Sequence, residues 1–579
     1  MRYTRIPGFS GIENHRQDTN LGTLRVCEGA VMGAVGSIRS APIWKQEFPL
    51  DIPGAGNHVL IGQDTQQNKY AMVTESGQVT NLKMFTNENP VPSRIGNLIA
   101  LESKAQLTSN NPVFVNDVGS RQAFLGNGVD QKKIIDVVGG PLEVTDLDPD
   151  EDSIYKQETT PFPNCSMFVV GMRKSIYASG DPTAPLTVYI SEPMSADSPV
   201  KEGIYSTQMS KVDILATNAT KITALSTYQN YVVVHTDAGV VLLYSVETPQ
   251  SSAGFRVEQV SAASNSGAVN QNCCAGSAIV QPYYLGVDGE VYKDSSARRG
   301  PDNKPSFSDV EQVTAKAKGL WNTAVDGDFN GSFSAYETFS GVYNFYMPAS
   351  EKAEQSGGKF QGYYWFDQQD AITGPVLHPK VTAVTSVSDT SLLLGVSEDN
   401  KLLSCDMEQL KESRTLAGPT VDPWANVGST VPGTDLVVSV DKAAGKFNFS
   451  GRSYNGPFEE SKVGDTVLNN PVHYPDAYLS VIETSFEDMQ ASHVAKQFHE
   501  IVANFQGDSF GDVFIYGQNE EGLSKGGFKG SLKDKSKMKS FINLRGDRLR
   551  IRLYVITHKD YEWVLTDLAV GFLVTKIVF

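Results

Sequence analysis

The sequence predicts an all-β protein: a β-propeller followed by a C-terminal β-sandwich-like domain, with an extended N-terminal arm. Three observations carry that prediction. The stretch ITALSTYQNYVVVHTDAGVVLLY, residues 222–244, alternates short apolar runs with the turns Tyr228-Gln229-Asn230 and Asp237-Ala238-Gly239. β-Branched and aromatic side chains suit a pleated, half-buried surface, while Asp, Asn and Gly accept the left-handed dihedrals of tight hairpins, so this is a three-stranded meander. It also recurs. VTAVTSVSDTSLLLGVSEDNKLLSCDM, from Val381, follows it element for element, and shorter echoes stand at NKYAMVTESGQVTNL (68–82) and QPYYLGVDGEVYK (281–293). Meanders too small to be stable alone, repeated over several hundred residues, are the signature of a propeller. Finally, 51 glycines and 28 prolines fit a chain of many short strands and turns.

Taken in order, residues 1–40 are broken by Pro7 and six glycines and are locally basic through Arg2, Arg5, Arg16 and Arg25. They read as an arm that docks on a neighbour or clings to the surface. Residues 41–430 are assigned to the propeller, with loop insertions at DLDPDED (146–152) and SSARRGPDNKPS (295–306), neither of which can hold a core. From 431 to 579 the strand spacing suits a sandwich. One segment there, SHVAKQFHEIVANF (492–505), fits two periods. Val494, Phe498, Ile501, Val502 and Phe505 share a helical face, yet Phe498, Glu500 and Val502 alternate as in a strand. Its surroundings favour strand.

At 579 residues the chain should hold two or three domains, and 40% hydrophobic with 20% charged residues describes a globular protein. No run approaches the roughly 20 apolar residues of a membrane span, and the first residues lack the apolar core of a signal peptide. The five cysteines, Cys27, Cys165, Cys273, Cys274 and Cys405, are scattered, with no C-x-x-C; they read as small buried hydrophobes. The formal charge of −17 repels phosphate and argues against sequence-reading DNA binding, though not against a protein past which DNA slides.

The most specific chemical motif is DGDFNGSFSAYE, residues 326–337, which matches the EF-hand loop template at each specified position. Asp326, Asp328 and Asn330 would supply side-chain oxygens and Ser332 a carbonyl. Ser334 would act directly or through water, and Glu337 would clamp Ca²⁺ with two oxygens. The plain reading is a polar turn. DLDPDED lacks the glycine and the closing Glu and reads as a solvated acidic loop. A basic stretch runs from 525 to 552. Within it Arg548, Arg550 and Arg552 alternate with Leu549, Ile551 and Leu553 and so share one strand face. With Arg545 they form a candidate docking surface for an acidic neighbouring subunit, or a solvated sheet face. His235 reads as a packed histidine. There is no H-E-x-x-H, G-x-S-x-G, phosphate-binding glycine loop or sialidase-type S-x-D-x-G-x-x-W box, so no enzyme activity is expected.

Three passages resemble the nozzle, or packaged-DNA-stabilisation, proteins at the tail tip of short-tailed bacteriophages. The first is FVVGMRKSIYASGDPTAPLTVYISEP (168–193) leading to the meander at 222–244. The second is GAVNQNCCAGSAIVQPYYLGVDGEVYK (267–293), and the third is INLRGDRLRIRLYVITHKDYEWVLTDLAVGFLV (542–574). The resemblance implies a structural virion protein of the tail, assembled in the host cytoplasm as a homohexameric ring below the portal and adaptor. Its channel would retain and then release the genome, and its outer side would hold fibres or spikes. It carries over no catalytic residues. Six copies at −17 each would line an acidic tube through which DNA can move. The rival readings are a carbohydrate- or receptor-binding propeller and, behind it, a propeller hydrolase.

Overall fold

A computed structural model defines the fold. It describes the strands and tight turns between residues 2 and 577. Outside the description lie short linkers and the longer connections 13–21, 45–55, 85–97, 147–162, 192–209, 246–254, 260–265, 276–282, 318–328, 349–359, 408–436 and 456–471, together with the side chains of residues 56–105.

Among the described residues, seven antiparallel meanders follow one another along the chain. Blade 1 comprises Gly56–Gln63, Lys69–Glu75, Gln78–Met84 and Leu98–Gln106. Blade 2 comprises Phe114–Gly119, Gln122–Gly126, Gln131–Ile135 and Glu143–Asp146. Blade 3 is Met167–Val170, Ile176–Ser179, Thr187–Ile190 and Ser210–Asp213. Blade 4 is Ile222–Tyr228, Tyr231–Thr236, Gly239–Ser245 and Phe255–Gln259, and blade 5 is Cys274–Ala275, Tyr283–Leu285, Val291–Asp294 and Val310–Gln312. Blade 6 is Phe333–Glu337, Val342–Pro348, Phe360–Phe366 and Ala371–His378. Blade 7 has three strands among the described residues, Val381–Ser386, Leu392–Ser397 and Leu402–Asp406. The first strand of each blade lies against the first strand of the next, and that of blade 7 lies against that of blade 1. The ring is therefore closed.

The packing explains the sequence pattern. Val232 and Val234 face blade 3, packing with Met167, Tyr177, Val188 and Ile190. Val233 points the other way, against Ala268, Tyr284 and Tyr292 of blade 5 and its connector. A blade is covered on both faces, so its central strand reads as an unbroken apolar run and not as an alternation. The two long repeats seen in the sequence are the first three strands of blades 4 and 7, and they share a defect. The register slips between Ile222 and Ala224 and, at the matching place, between Val381 and Ala383.

The C-terminal unit is a sandwich of three layers. Its central layer holds Leu24–Glu28, Ala477–Thr484, Leu549–His558, Gly511–Asn519 and Ser524–Ser531 in that order, and it continues through Leu24–Glu28 into blade 6 as one nine-stranded sheet. An outer sheet runs Ala30–Met32, Ile38–Ser40, Val564–Ile577, Val494–Gln506, Lys537–Gly546, with Arg2–Ile6 also paired to Val564–Ile577. A cover sheet of Arg452–Asn455, Lys446–Phe449, Val437–Asp441 and Val472–Pro475 lies on the opposite face. In the central layer Val513, Ile515, Ile551, Leu553 and Val555 share a core with Phe498, Ile501, Leu568 and Val570 of the outer sheet. Phe514, Tyr516, Tyr554 and Ile556 point the other way, towards Val438, Val440 and Phe447 of the cover sheet.

The arm is thus taken up by the chain's own C-terminal unit. Residues 2–6, 24–28, 30–32 and 38–40 are strands of the sandwich, not a free extension. These strands complete the ladders, and Leu24, Cys27, Val31 and Ile38 are fully buried. The arm also ties the two units together. Cys27 pairs with Gly374 of blade 6, Ile12 N–H donates to Ile372 O (3.0 Å), and the Arg39 guanidinium donates to Met407 O after blade 7. The ambiguous segment is a strand, Val494–Gln506, with a bulge between Phe498 and Glu500. The extra residue places buried Phe498 and Ile501 three apart, which imitates a helical face.

Candidate interaction sites

The first site is a set of acidic clasps on the ring. In blade 4 the turn Asp237 accepts from the backbone N–H of Thr220 (2.8 Å) and Lys221 (3.3 Å) and from the Thr220 hydroxyl, all on the connector entering the blade. Burial alone pushes the Asp237 carboxyl up, but these hydrogen bonds outweigh it and hold the pKa below the ordinary carboxylate value. In blade 2 Asp130 accepts from Thr108 Oγ1 (2.6 Å), its N–H (3.1 Å) and Asn127 Nδ2 (3.0 Å). In blade 5 Asp288 accepts from Ser266 Oγ (3.0 Å) and from the Tyr292 hydroxyl. Each time, an acid in the hairpin between the second and third strands holds a Ser or Thr of the incoming connector. Blade 3 varies the theme: Asp181 accepts from Thr183 and Tyr189 of its own blade. The fit is close. A Cβ on Gly267, in the connector to blade 5, would stand 2.0 Å from Thr236 O. The sequence had marked Asp237 and Asp288 as turn formers; their carboxylates also lock blade to blade.

The second is the expected calcium loop. Asp326, Asp328 and Asn330 lie outside the described residues. The described half is built into the ring. Ser332 O accepts from Asn270 Nδ2 (3.3 Å) and Cys273 Sγ (3.1 Å), and Ser334 Oγ donates to Asn272 O (3.3 Å). Phe333–Glu337 is the first strand of blade 6, Glu337 is fully buried, and it pairs with Val342. This departs from the helix–loop–helix to which the template belongs. Among the described residues no group of three His, Cys, Asp or Glu is placed to hold a metal ion.

The third is the arginine face. Leu549, Ile551 and Leu553 are buried and Arg548, Arg550 and Arg552 point to the opposite side, as the alternation required. What the alternation did not reveal is Glu483, on the adjoining strand, whose side chain is 3% exposed. Arg552 Nε and Nη2 bind its carboxylate, Arg550 Nη1 lies 3.4 Å from it, and Arg25 Nε of the arm lies 3.8 Å from it. The Arg550 guanidinium also stacks 4.0 Å over the Phe486 ring. Burial pulls the Arg550 pKa down, with Glu483 opposing that pull. For Arg552 burial again pulls downward, but Glu483 outweighs it and the pKa rises. Arg548 forms an exposed pair with Glu520 at 3.8 Å, and Arg545 stands exposed on the neighbouring strand Lys537–Gly546. So two of the four arginines expected at an interface are held by an acid of the same chain, and a basic residue of the arm joins them.

His235 is fully buried, its Nε2 3.2 Å from Ser226 Oγ and its ring 4.6 Å from that of Tyr284. Burial pushes its pKa down to about 3, so it is a neutral packed residue at physiological pH. Four of the five cysteines are buried, and all five are free thiols.

No protein-family model matches the chain, and no curated protein does. Solved structures similar to it include PorZ, a surface component of the type-IX secretion system of Porphyromonas gingivalis. That match has 10% identity and a TM-score of 0.30 over 62% of this chain, and spans 38% of that one. Another is the Cps50 (Swd1) β-propeller domain of Myceliophteria thermophila, at 10% identity and a TM-score of 0.34, covering 62% of this chain and 99% of that one. The fold class is that of a β-propeller protein carrying a second, all-β unit.

Proposed function

We propose that this chain is a structural virion protein: the tail nozzle or hub of a short-tailed bacteriophage, assembled as a ring of copies around the DNA-ejection channel. The passages that resemble the nozzle family fall on scaffold. They contribute to blades 3, 4 and 5 and to the strands Leu549–His558 and Val564–Ile577, which lie in the central and outer sheets of the sandwich. The observation that carries the reading furthest is the continuity of ring and sandwich. One nine-stranded sheet runs from blade 6 through Leu24–Glu28 into the C-terminal unit, so a load on the sandwich passes to the ring through backbone hydrogen bonds. That suits a protein that bears force between a capsid and its fibres. The charge of −17 suits a wall that duplex DNA must leave without sticking.

In this reading the partners are further copies of the chain, an adaptor above it, fibres or spikes outside it, and genomic DNA passing without sequence recognition. Mass photometry and negative-stain images of the purified chain, alone and with the adaptor from the same genome, test it. Six-fold rings are expected. Monomers alone, even with the adaptor present, would refute it, and binding on a glycan array by that monomer would favour the receptor-binding propeller instead.

A further inference from the structure

We propose that a groove on the outer sheet of the sandwich receives the acid run DLDPDED (146–152) of a neighbouring copy of this chain; the proposal rests on the ring-of-copies reading above. The groove crosses four strands, and their register builds it in rows. Arg5, Ala569, Val502 and Lys539 stand side by side, and Asp567, Asn504 and Lys537 make the next row. Val502 and Ala569 are thus a low apolar floor between two cationic walls. Arg5 of the arm forms one wall, and Lys537 and Lys539 of the edge strand form the other. In a third row Gly571 has no side chain, so the Tyr3 hydroxyl reaches across it and donates to Glu500. The space measures about 550 Å³, within the range of binding sites.

The acids of the groove are buried and engaged. Glu500 holds Tyr3, and Asp567 holds Arg5 Nη2 (2.9 Å) and Asn504 Nδ2 (2.8 Å). Arg5, Lys537 and Lys539 are exposed, so the charges that face solvent here are cations. Aromatic area stands beside them: Phe541, opposite Glu500, is 75% exposed and Tyr3 57%, on a sheet face that would be polar if it met only water. The occupant follows from charge and topology. DLDPDED has five acids in seven residues and no base, the densest such run in the chain, and Ile154 and Tyr155 follow it. Pro149 biases Asp148 towards extended backbone, the form that lies along a groove. The run leaves Glu143–Asp146, the fourth strand of blade 2 and the one farthest from the propeller axis. The sandwich continues from blade 6, three blades away by way of 7 and 1, the widest separation that seven blades permit. A heterologous ring needs two different patches facing different ways on each copy, one acidic and one basic, and this placement supplies them.

The test uses the full chain in two variants and their mixture. One carries Lys537→Glu and Lys539→Glu in the groove; the other carries Asp148→Lys and Asp150→Lys in the run. Association is followed by sedimentation velocity and mass photometry, with circular dichroism and thermal melting to confirm that both variants fold. Each variant alone sets like charges against each other and is expected to associate about tenfold or more weakly than wild type. An equimolar mixture should regain association, because every groove then meets a run of opposite charge on the other variant. With wild type assembled, a mixture no better than either variant alone, or variants that associate like wild type, would overturn this proposal and leave the ring reading standing. A wild type that stays monomeric under every condition would overturn the ring reading and this proposal with it.

Discussion

Replacing Glu483 by alanine should open the sandwich at its joint with the arm. The carboxylate is 3% exposed and Arg550 14% exposed, so this pair sits well inside the protein surface. At an effective dielectric near 20, each guanidinium about 4 Å away contributes roughly 4 kcal/mol of attraction, most of which offsets desolvation. Removing the acid takes from Arg550 and Arg552 the carboxylate they share, and breaking a buried pair from one side costs about 3–5 kcal/mol. Arg25 adds little, because an exposed pair at 3.8 Å is worth about 1 kcal/mol or less. The readout should be local, since a chain with two units need not unfold in one step. Hydrogen exchange of the amides in Ala477–Thr484 and Leu549–His558 should quicken by about a hundredfold to several thousandfold, as 1.4 kcal/mol is a factor of ten. Arg25→Ala should change it by less than about fivefold. If Glu483→Ala leaves those amides within a factor of about three of wild type, the arginines are solvated well enough without the acid, and the reasoning fails.

Three other perturbations follow from the structure. Asp237→Asn should weaken the clasp of blade 4 by about 1–3 kcal/mol in chemical denaturation at neutral pH. Because the folded-state pKa of Asp237 is depressed, its contribution is complete above the unfolded value near 4 and is lost as pH falls through the lower folded value, so wild type and variant should converge in acid. Glu487 behaves oppositely. Burial raises its pKa to about 7, against the hydrogen bond from Gly22 N–H, so stability should fall as pH rises from about 4.5 to 7. Glu487→Gln should remove that slope in denaturation midpoints taken at pH 5 and 8, and an unchanged slope would assign it elsewhere. Gly267→Ala sets a Cβ against Thr236 O and should lower the melting temperature through about 1–3 kcal/mol of overpacking, whereas Gly527→Ala, which meets no atom within 4 Å, should show only the strain of its φ of +152°.

Much of the ring was legible because its signals are local. A hairpin pairs residues a few positions apart, so strand, turn and strand stand together in the sequence, and blades 4 and 7 matched down to the position of a bulge. The number of blades was not, since blades 2, 3 and 6 lack the long repeat and only packing shows that they belong to the circle. Pairing of Arg2–Ile6 with Val564–Ile577 could not be read either. Five residues with no apolar alternation carry no mark of a partner so far along the chain. The strand Val494–Gln506 misled for a different reason: its bulge converts a period of two into a spacing of three. Of the candidate sites, the arginine face was visible as an alternation. Glu483, which organises it, was one acid among 66 acidic residues, and nothing in VIETS distinguishes it.

The take-up of Arg2–Ile6, Leu24–Glu28, Ala30–Met32 and Ile38–Ser40 by the C-terminal unit sets an order of events during synthesis. Arg5 meets Asp567, 562 positions later, so the strand Arg2–Ile6 waits for Val564–Ile577 before it has a partner. Blades can form as they emerge, because their contacts are short-range, but the seam between blades 7 and 1 is flanked by segments that are both anchored in the sandwich. Until the strand Val564–Ile577 has left the ribosome, Arg2–Ile6 and Ile38–Ser40 lack the strand they pair with, and unpaired edges stay open to wrong partners. A nascent chain halted before that strand cannot pass as finished. In the ring of copies proposed above, this would act as a check on each copy before it joins.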